Sequence, residues 1–118
     1  MDQVSFRTQL NSGLNRRQYS APENTTTIVV HEVTGHTTCL VSFVGEPNQV
    51  LSYVLRDCTS EGDVGFQIAA ESLTLSASPD DAAVGIAHIQ VPAWEGSHLR
   101  LDVENTTADT ATLEIVSH

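Results

Sequence analysis

From residue 25 onward the apolar residues of this chain recur at every second position, in short runs separated by turn residues. No window of about 11 residues or more holds a helical period. A period of two sends successive side chains to opposite faces of an extended strand, so each run predicts a β-strand with one face turned to a core. Residues 25–33 are β-branched almost throughout, and Ile28 and Val30, joined by Thr26, form the predicted inner face. In residues 37–44, Cys39, Val41 and Phe43 share one face, with Leu40, Ser42 and Val44 on the other. Further rows are Leu51, Tyr53 and Leu55; Val64, Phe66, Ile68 and Ala70, with Leu73 and Leu75 continuing or following; then Leu99, Leu101 and Val103; and finally Leu113 and Ile115. Residues 83–91 supply one more strand. Gly35, the turn 45–48 with Pro47 and Asn48, residues 59–62, the loop 76–81 with Pro79, residues 92–96 around Trp94, and residues 105–109 separate the runs. Seven or eight short strands at this spacing predict an all-β fold, an antiparallel two-sheet β-sandwich, with a small closed barrel as the alternative.

Residues 1–22 lack this pattern. Asn11-Ser12-Gly13, Arg16-Arg17 and Ala21-Pro22 interrupt it, and Val4, Phe6, Leu10 and Leu14 are its anchors. They predict an extended N-terminal arm with one short strand near residues 4–8, preceding a β-sandwich over residues 23–118. At 118 residues the chain is sized for one core. Aromatic side chains make up 5% of it, so that core is expected to be mainly Val, Leu, Ile and Ala.

A formal net charge of −10, with five Arg and no Lys, argues against nucleic acid and against a polybasic contact with anionic lipid. No apolar run approaches the roughly 18 residues of a membrane span, and the first residues do not resemble a signal peptide. The chain as written is therefore expected in the cytoplasm. Cys39 and Cys58 are the two cysteines. A bridge between them would close a loop of about 20 residues, worth about 3 kcal/mol, whereas a cytoplasmic chain would keep both as buried thiols. The triplets Asn24-Thr25-Thr26 and Asn105-Thr106-Thr107 match the glycosylation acceptor pattern, but without a signal peptide both read as turn chemistry.

Catalytic and metal-binding patterns are weak. His31, His36, Cys39 and Cys58 lack the close Cys or His pairs of a zinc site, and the expectation is surface histidines beside a core thiol. Asp57, Glu61 and Asp63 cluster at one turn and Asp80-Asp81 at another, without the alternate ligands of a calcium loop. Carboxylates are also good turn formers. There is no G-x-S-x-G elbow and no phosphate loop; Cys58 lies beside Asp57 with no histidine placed near it by sequence, and His88 and His98 have no assigned partner. The reading is therefore a chain that is not an enzyme and carries no cofactor and no metal.

Two segments carry a family resemblance. Leu51-Ser52-Tyr53 and Asp63-Val64-Gly65-Phe66-Gln67-Ile68 resemble the middle of GOLD (Golgi dynamics) domains, such as those of Sec14-like proteins and of the FYVE and coiled-coil autophagy adaptor. Residues 98–107 and 112–115 are similar to the end of those domains, and together the matches span most of residues 25–118. Tyr53 stands where Trp is common in the family, and residues 72–91 are shorter and more apolar than the charged insertion many members carry. The matched residues have physical roles of their own. Asp63 can accept backbone N–H bonds at the turn, Gly65 permits a close backbone approach, Phe66 is the expected core filler, and Asn105 suits a left-handed turn position.

The resemblance implies a non-catalytic protein-interaction module of a trafficking adaptor, placed at Golgi or endosomal membranes as part of a larger protein. The partner would be another protein, met through an exposed edge strand or through Trp94 as an aromatic anchor; Trp94 as a plug over one end of the sandwich is the other reading. Two alternatives stand beside it. One is a structural sandwich of a viral or bacterial coat, decoration or adhesin protein. The other is a carbohydrate-binding module using Trp94.

Overall fold

A computed structural model describes residues 4–9 and 15–118. Ten strands follow one another: β1 (Val4–Gln9), β2 (Asn15–Ala21), β3 (Thr25–Glu32), β4 (Cys39–Gly45), β5 (Val50–Cys58), β6 (Phe66–Thr74), β7 (Ser76–Ala77), β8 (Gly85–Gln90), β9 (His98–Asn105) and β10 (Ala111–Ser117). They form two five-stranded sheets, ordered β1-β3-β9-β5-β6 and β2-β10-β4-β8-β7. The expected two-sheet sandwich is what the chain builds, with ten strands among the described residues where seven or eight were predicted. One pairing departs from the antiparallel pattern: β1 runs parallel to β3, from Val4 beside Thr26 to Gln9 beside His31.

The segment predicted to be an extended arm supplies β1 and β2, one to each sheet. β2 pairs antiparallel with β10, and its Tyr19 and Ala21 are buried in the core. Alternation failed to mark β2 because Arg16, Arg17 and Gln18 fill the positions around Tyr19 on an edge strand open to water. Leu10 and Leu14, predicted anchors of the arm, lie outside the described residues.

The inward rows of β4, β5, β9 and β10 are those the periodicity predicts. Val41, Phe43, Leu51, Leu55, Leu101 and Leu113 are buried in one continuous core, with the Phe43 and Tyr53 rings 6.2 Å apart. In β3 the inward face is the opposite one from that predicted: Thr25, Thr27, Val29 and His31 are buried, while Thr26 and Ile28 are half-buried. Val30 is buried too, so hydrophobicity alone did not distinguish the two faces of this strand.

β6 breaks its own alternation. Its register against β5 shifts between Leu55, which pairs with Ala69, and Arg56, which pairs with Gln67. Ile68 is the extra residue, and this bulge reverses the parity of everything after it. Ala69, Glu71 and Leu73 therefore face inward opposite Leu55, Tyr53 and Leu51, and Tyr53 Oη donates to Glu71 Oε1 at 2.7 Å. Phe66, predicted as the core filler, is instead 61% exposed at the start of this edge strand.

Two matched turn residues do what their chemistry suggested. Asp63 Oδ2 accepts from the Thr59 backbone N–H at 3.0 Å and from Thr59 Oγ1 at 3.1 Å. These bonds, with those from the Gly65 and Val64 backbone, hold its carboxyl below the usual range. Gly65 has φ +75°, and a Cβ there would stand 2.6 Å from both the Asp57 carbonyl oxygen and Cys58 Sγ. Gly65→Ala is therefore expected to cost about 2–3 kcal/mol, from left-handed strain plus displaced backbone. Gly62→Ala, where a Cβ meets nothing within 4 Å, should be nearly neutral in the same urea titration.

Asn105 differs from expectation. It is not in the left-handed region, which among non-glycine described residues holds Asn24 and Asn48. Its side chain is 0% exposed, which removes it as a glycan acceptor in the folded chain, and it ties β9 to the other sheet through Ala21 O at 2.9 Å.

Candidate functional site

Two places on the sandwich stand apart from the rest of its surface. The first is one long flank. β6 is the terminal strand of its sheet and β7 of the other, and Leu75 alone joins them, so both edges lie on the same side. β7 covers only Gly85 and Ile86 of β8, leaving the rest of that edge unpaired among the described residues. Inward-facing Ala69, Leu73, Ala87 and Ile89 touch the core but remain only half-buried, because among the described residues no further strand closes this side. Phe66, Val64 (59% exposed) and Val50 add exposed apolar surface. Sandwiches usually blunt such an edge with charge, proline, a bulge or a cover, and β6 has the bulge at Ile68 near its start. This one carries a single charged residue, Glu71, within the nine residues of β6.

The second place is the end of the sandwich where the β3–β4 turn meets the β8–β9 loop. Asp57 organises it. This buried carboxylate, at the end of β5, accepts the Glu95 backbone N–H at Oδ2 (2.8 Å) and the Gly96 backbone N–H at Oδ1 (2.9 Å). Glycine is required at 96, since a Cβ there would overlap the Cys58 carbonyl and lie 2.6 Å from Asp57 Oδ1. Val33 N donates to Ser97 O at 2.8 Å and joins the loop to the β3–β4 turn. Ser97 Oγ also donates to Thr59 O at 3.0 Å. Trp94, the predicted contact residue, sits in this loop. It packs partly against the core and stays partly open to solvent.

Beneath the loop lies a polar cluster that the sequence did not suggest. His31 Nε2 is 2.8 Å from Ser117 Oγ, and His36 Nδ1 is 2.7 Å from the same oxygen. His31 is 1% exposed and His36 8%, so both are interior and neither is the surface histidine expected. One hydroxyl can donate to only one ring, so the two tautomers are linked: if Ser117 donates to His36, it accepts from His31, and the reverse. Burial, with His36, Arg17 and His98 adding like charge, lowers the His31 pKa to about 4. His98 Nδ1 lies 2.7 Å from Ser97 Oγ, and its Nε2 is 3.9 Å from Glu32 Oε2.

A serine oxygen between two imidazoles has the spacing of a nucleophile and its base. Ser117 is 0% exposed, however, and no substrate can reach it in this structure. The thiols are equally inert. Burial pushes Cys39 up to about 12, and burial together with Asp63 raises Cys58. Both are free, buried thiols on different sheets, Cys39 on β4 and Cys58 on β5. Among the described residues, no group of three or more His, Cys, Asp or Glu is placed to hold a metal ion. Asp63, Asp80 and Asp81 serve turns: Asp81 Oδ1 accepts from Ala83 N at 3.0 Å, and Asp80 N donates to Ser78 Oγ at 3.3 Å. His88 lies on the outer face, 2.9 Å from Ser42 Oγ.

No protein-family model and no curated protein sequence matches the chain. Solved structures do resemble it. PirA aligns with a TM-score of 0.52 and 14% identity, over 87% of this chain and 93% of that one. Aeromonas hydrophila PliG, a periplasmic lysozyme inhibitor of g-type lysozyme, aligns with a TM-score of 0.51 and 11% identity, over the full length of both. At these identities the likeness is one of fold.

Proposed function

We propose that this chain is a non-catalytic β-sandwich that works by joining other copies of itself along the open flank, as an assembling subunit of a coat, decoration or adhesin layer. The single observation that carries this reading is β6: a nine-residue edge strand, nearly uncharged, with Phe66 and Val64 exposed beside it. An unpaired edge of this kind supplies main-chain hydrogen bonds to an added strand, and the apolar side chains beside it supply burial. The inert thiols and the sealed Ser117 support a role without chemistry.

Charge makes the test specific. Copies carrying −10 repel one another, and salt screens that repulsion. Light scattering during size-exclusion chromatography should show oligomers that grow with ionic strength. Phe66→Lys with Ala70→Lys, which places charge on the edge at two exposed positions, should leave a folded monomer. A wild-type monomer at every concentration and salt would remove this reading.

A second reading uses the same flank for a different protein: the trafficking adaptor at Golgi or endosomal membranes, as in GOLD domains. The turn residues of the matched segment support it, with Asp63 capping and Gly65 in close approach. A salt-independent monomer, together with enrichment of Golgi or endosomal proteins in proximity labelling, would favour it.

A further inference from the structure

The flank formed by β6, β7 and β8 has a counterpart. β1 and β2 are the terminal strands at the other side of the two sheets, so among the described residues the sandwich is open at both flanks. The two flanks differ in charge. Residues 59–90, which hold β6, β7, β8 and their turns, carry Glu61, Asp63, Glu71, Asp80 and Asp81 and no Arg. β1 and β2 carry Arg7, Arg16 and Arg17 and no carboxylate. Arg16 stays exposed, with Glu114 of β10 at 4.0 Å, and Arg17 is half-buried. Strand direction also relates the two flanks. Within one copy β9 runs with β6, since both are antiparallel to β5. β3 runs against β9 and β1 runs with β3, so β1 is antiparallel to β6. In the other sheet β2 and β4 are both antiparallel to β10, and β8 is antiparallel to β4, so β2 is antiparallel to β8. The parallel pairing of β1 with β3 is what gives both flanks the same relation.

We propose that copies of this chain join head to tail, the β1/β2 flank of one docking on the β6/β8 flank of the next, so that both sheets run on through the junction. This rests on the self-assembly reading above and names the surface that fills the open flank. A copy displaced along the sheets without being turned over presents β1 antiparallel to β6. The same displacement presents β2 antiparallel to the part of β8 beyond β7, which covers only Gly85 and Ile86. Both edges thus meet in the more stable pairing sense and complete each other's main-chain hydrogen bonds. The half-buried Ala69, Leu73, Ala87 and Ile89 gain cover. Strands carrying only Arg meet a flank carrying only carboxylates, which selects this orientation. Two β6 flanks related by a two-fold axis would also pair antiparallel, but would set the carboxylates of one copy against those of the other. The junction uses a different surface on each copy, so it does not close on itself, and each added copy leaves one flank of either kind open. Salt screens the long-range repulsion between copies more than contacts closed inside the junction, so growth with ionic strength is expected here too.

Two variants of the full chain separate the two surfaces. Phe66→Lys with Ala70→Lys blocks the β6 flank and leaves β1 and β2 as they are. Arg16→Glu with Ser20→Glu, at two exposed positions of β2, makes the opposite edge acidic and leaves the β6 flank as it is. Native mass spectrometry and light scattering follow each variant alone and the equimolar mixture. Each alone should associate at least about tenfold more weakly than the wild type. The mixture should regain association with the two chains in 1:1 ratio, because each offers the surface the other lacks. The wild type should grow past a dimer as concentration rises. A β2 variant that dimerises by itself would overturn the proposal, since flank then meets flank. So would a mixture without mixed complexes, or a wild type that stops at a dimer. Those outcomes leave self-assembly standing. A wild type monomeric at every concentration and salt removes self-assembly and the head-to-tail junction together. Circular dichroism reports whether each variant folds, and Ser20→Glu alone takes the place of the β2 double variant if that one does not.

Discussion

Asn105→Ala is expected to lower stability by about 4 kcal/mol, from the loss of four hydrogen bonds at about 1 kcal/mol each. Nδ2 donates to Ala21 O at 2.9 Å and Asp109 O at 2.8 Å, while Oδ1 accepts from Thr107 N at 3.0 Å and Thr107 Oγ1 at 2.6 Å. One amide thus closes the β9–β10 turn and joins β9, in one sheet, to the end of β2 in the other. Gln49 reaches the same turn, its Nε2 bonding Thr107 Oγ1 and Asp109 O at 2.9 Å each, so the loss would spread to the β4–β5 turn. Asn105→Asp should fare no better, since a carboxylate turns acceptors toward two carbonyl oxygens. Urea unfolding measures both; a loss below about 1 kcal/mol for the alanine variant would show that this turn stands without its amide.

The second large effect is acid sensitivity set by His31. Its imidazole is neutral in the fold down to about pH 4, whereas the unfolded chain takes up that proton at its ordinary value of 6.5. Between those values the unfolded state binds more protons, so stability falls as pH falls from 6.5 toward 4 and levels off below. Above 6.5 the group contributes no pH dependence. The span corresponds to about 3 kcal/mol. His36, Arg17 and His98 surround the ring and add their repulsion to the cost of burial. Stability measured from about pH 7.5 to about pH 4.5 should fall in the wild type and run flatter in His31→Gln, which lacks the titrating ring. Equal slopes in the two proteins would place the acid sensitivity elsewhere. Asp63, held below its ordinary value by its hydrogen bonds, adds a loss of the same sign only at still lower pH.

These two residues also mark the boundary between what a linear pattern specifies and what it leaves open. Asn105 is visible in sequence as a turn residue closing a strand, yet its bond to Ala21 spans 84 positions and belongs to the packing of two sheets. His31 shares the strand parity of Val29 and Val33 and could have been placed inside on that ground. What makes the site tolerable for an imidazole is Ser117, 86 residues away.

Period-two alternation determined the strands, because burial on one face of a sheet is a property of successive side chains. It determined the inward rows of β4, β5, β9 and β10, most sharply in β9, where Leu99, Leu101 and Val103 hold one parity and Arg100, Asp102 and Glu104 the other. Turn chemistry determined the breaks, with Asp63 and Gly65 in the places their side chains suit. The tertiary structure decided the rest. In β3 apolar and β-branched residues fill both parities, so the packing of the opposite sheet chose the face. In β6 the bulge at Ile68 reverses the parity, which depends on pairing with β5 and is invisible in β6 alone. β1 and β2 gain their order from distant partners, β3 and β10, rather than from their own weak patterns. The exposure of Phe66 comes from the same cause. Periodicity says that a side chain points to one side of a strand, and only the completed sandwich says whether anything covers it there.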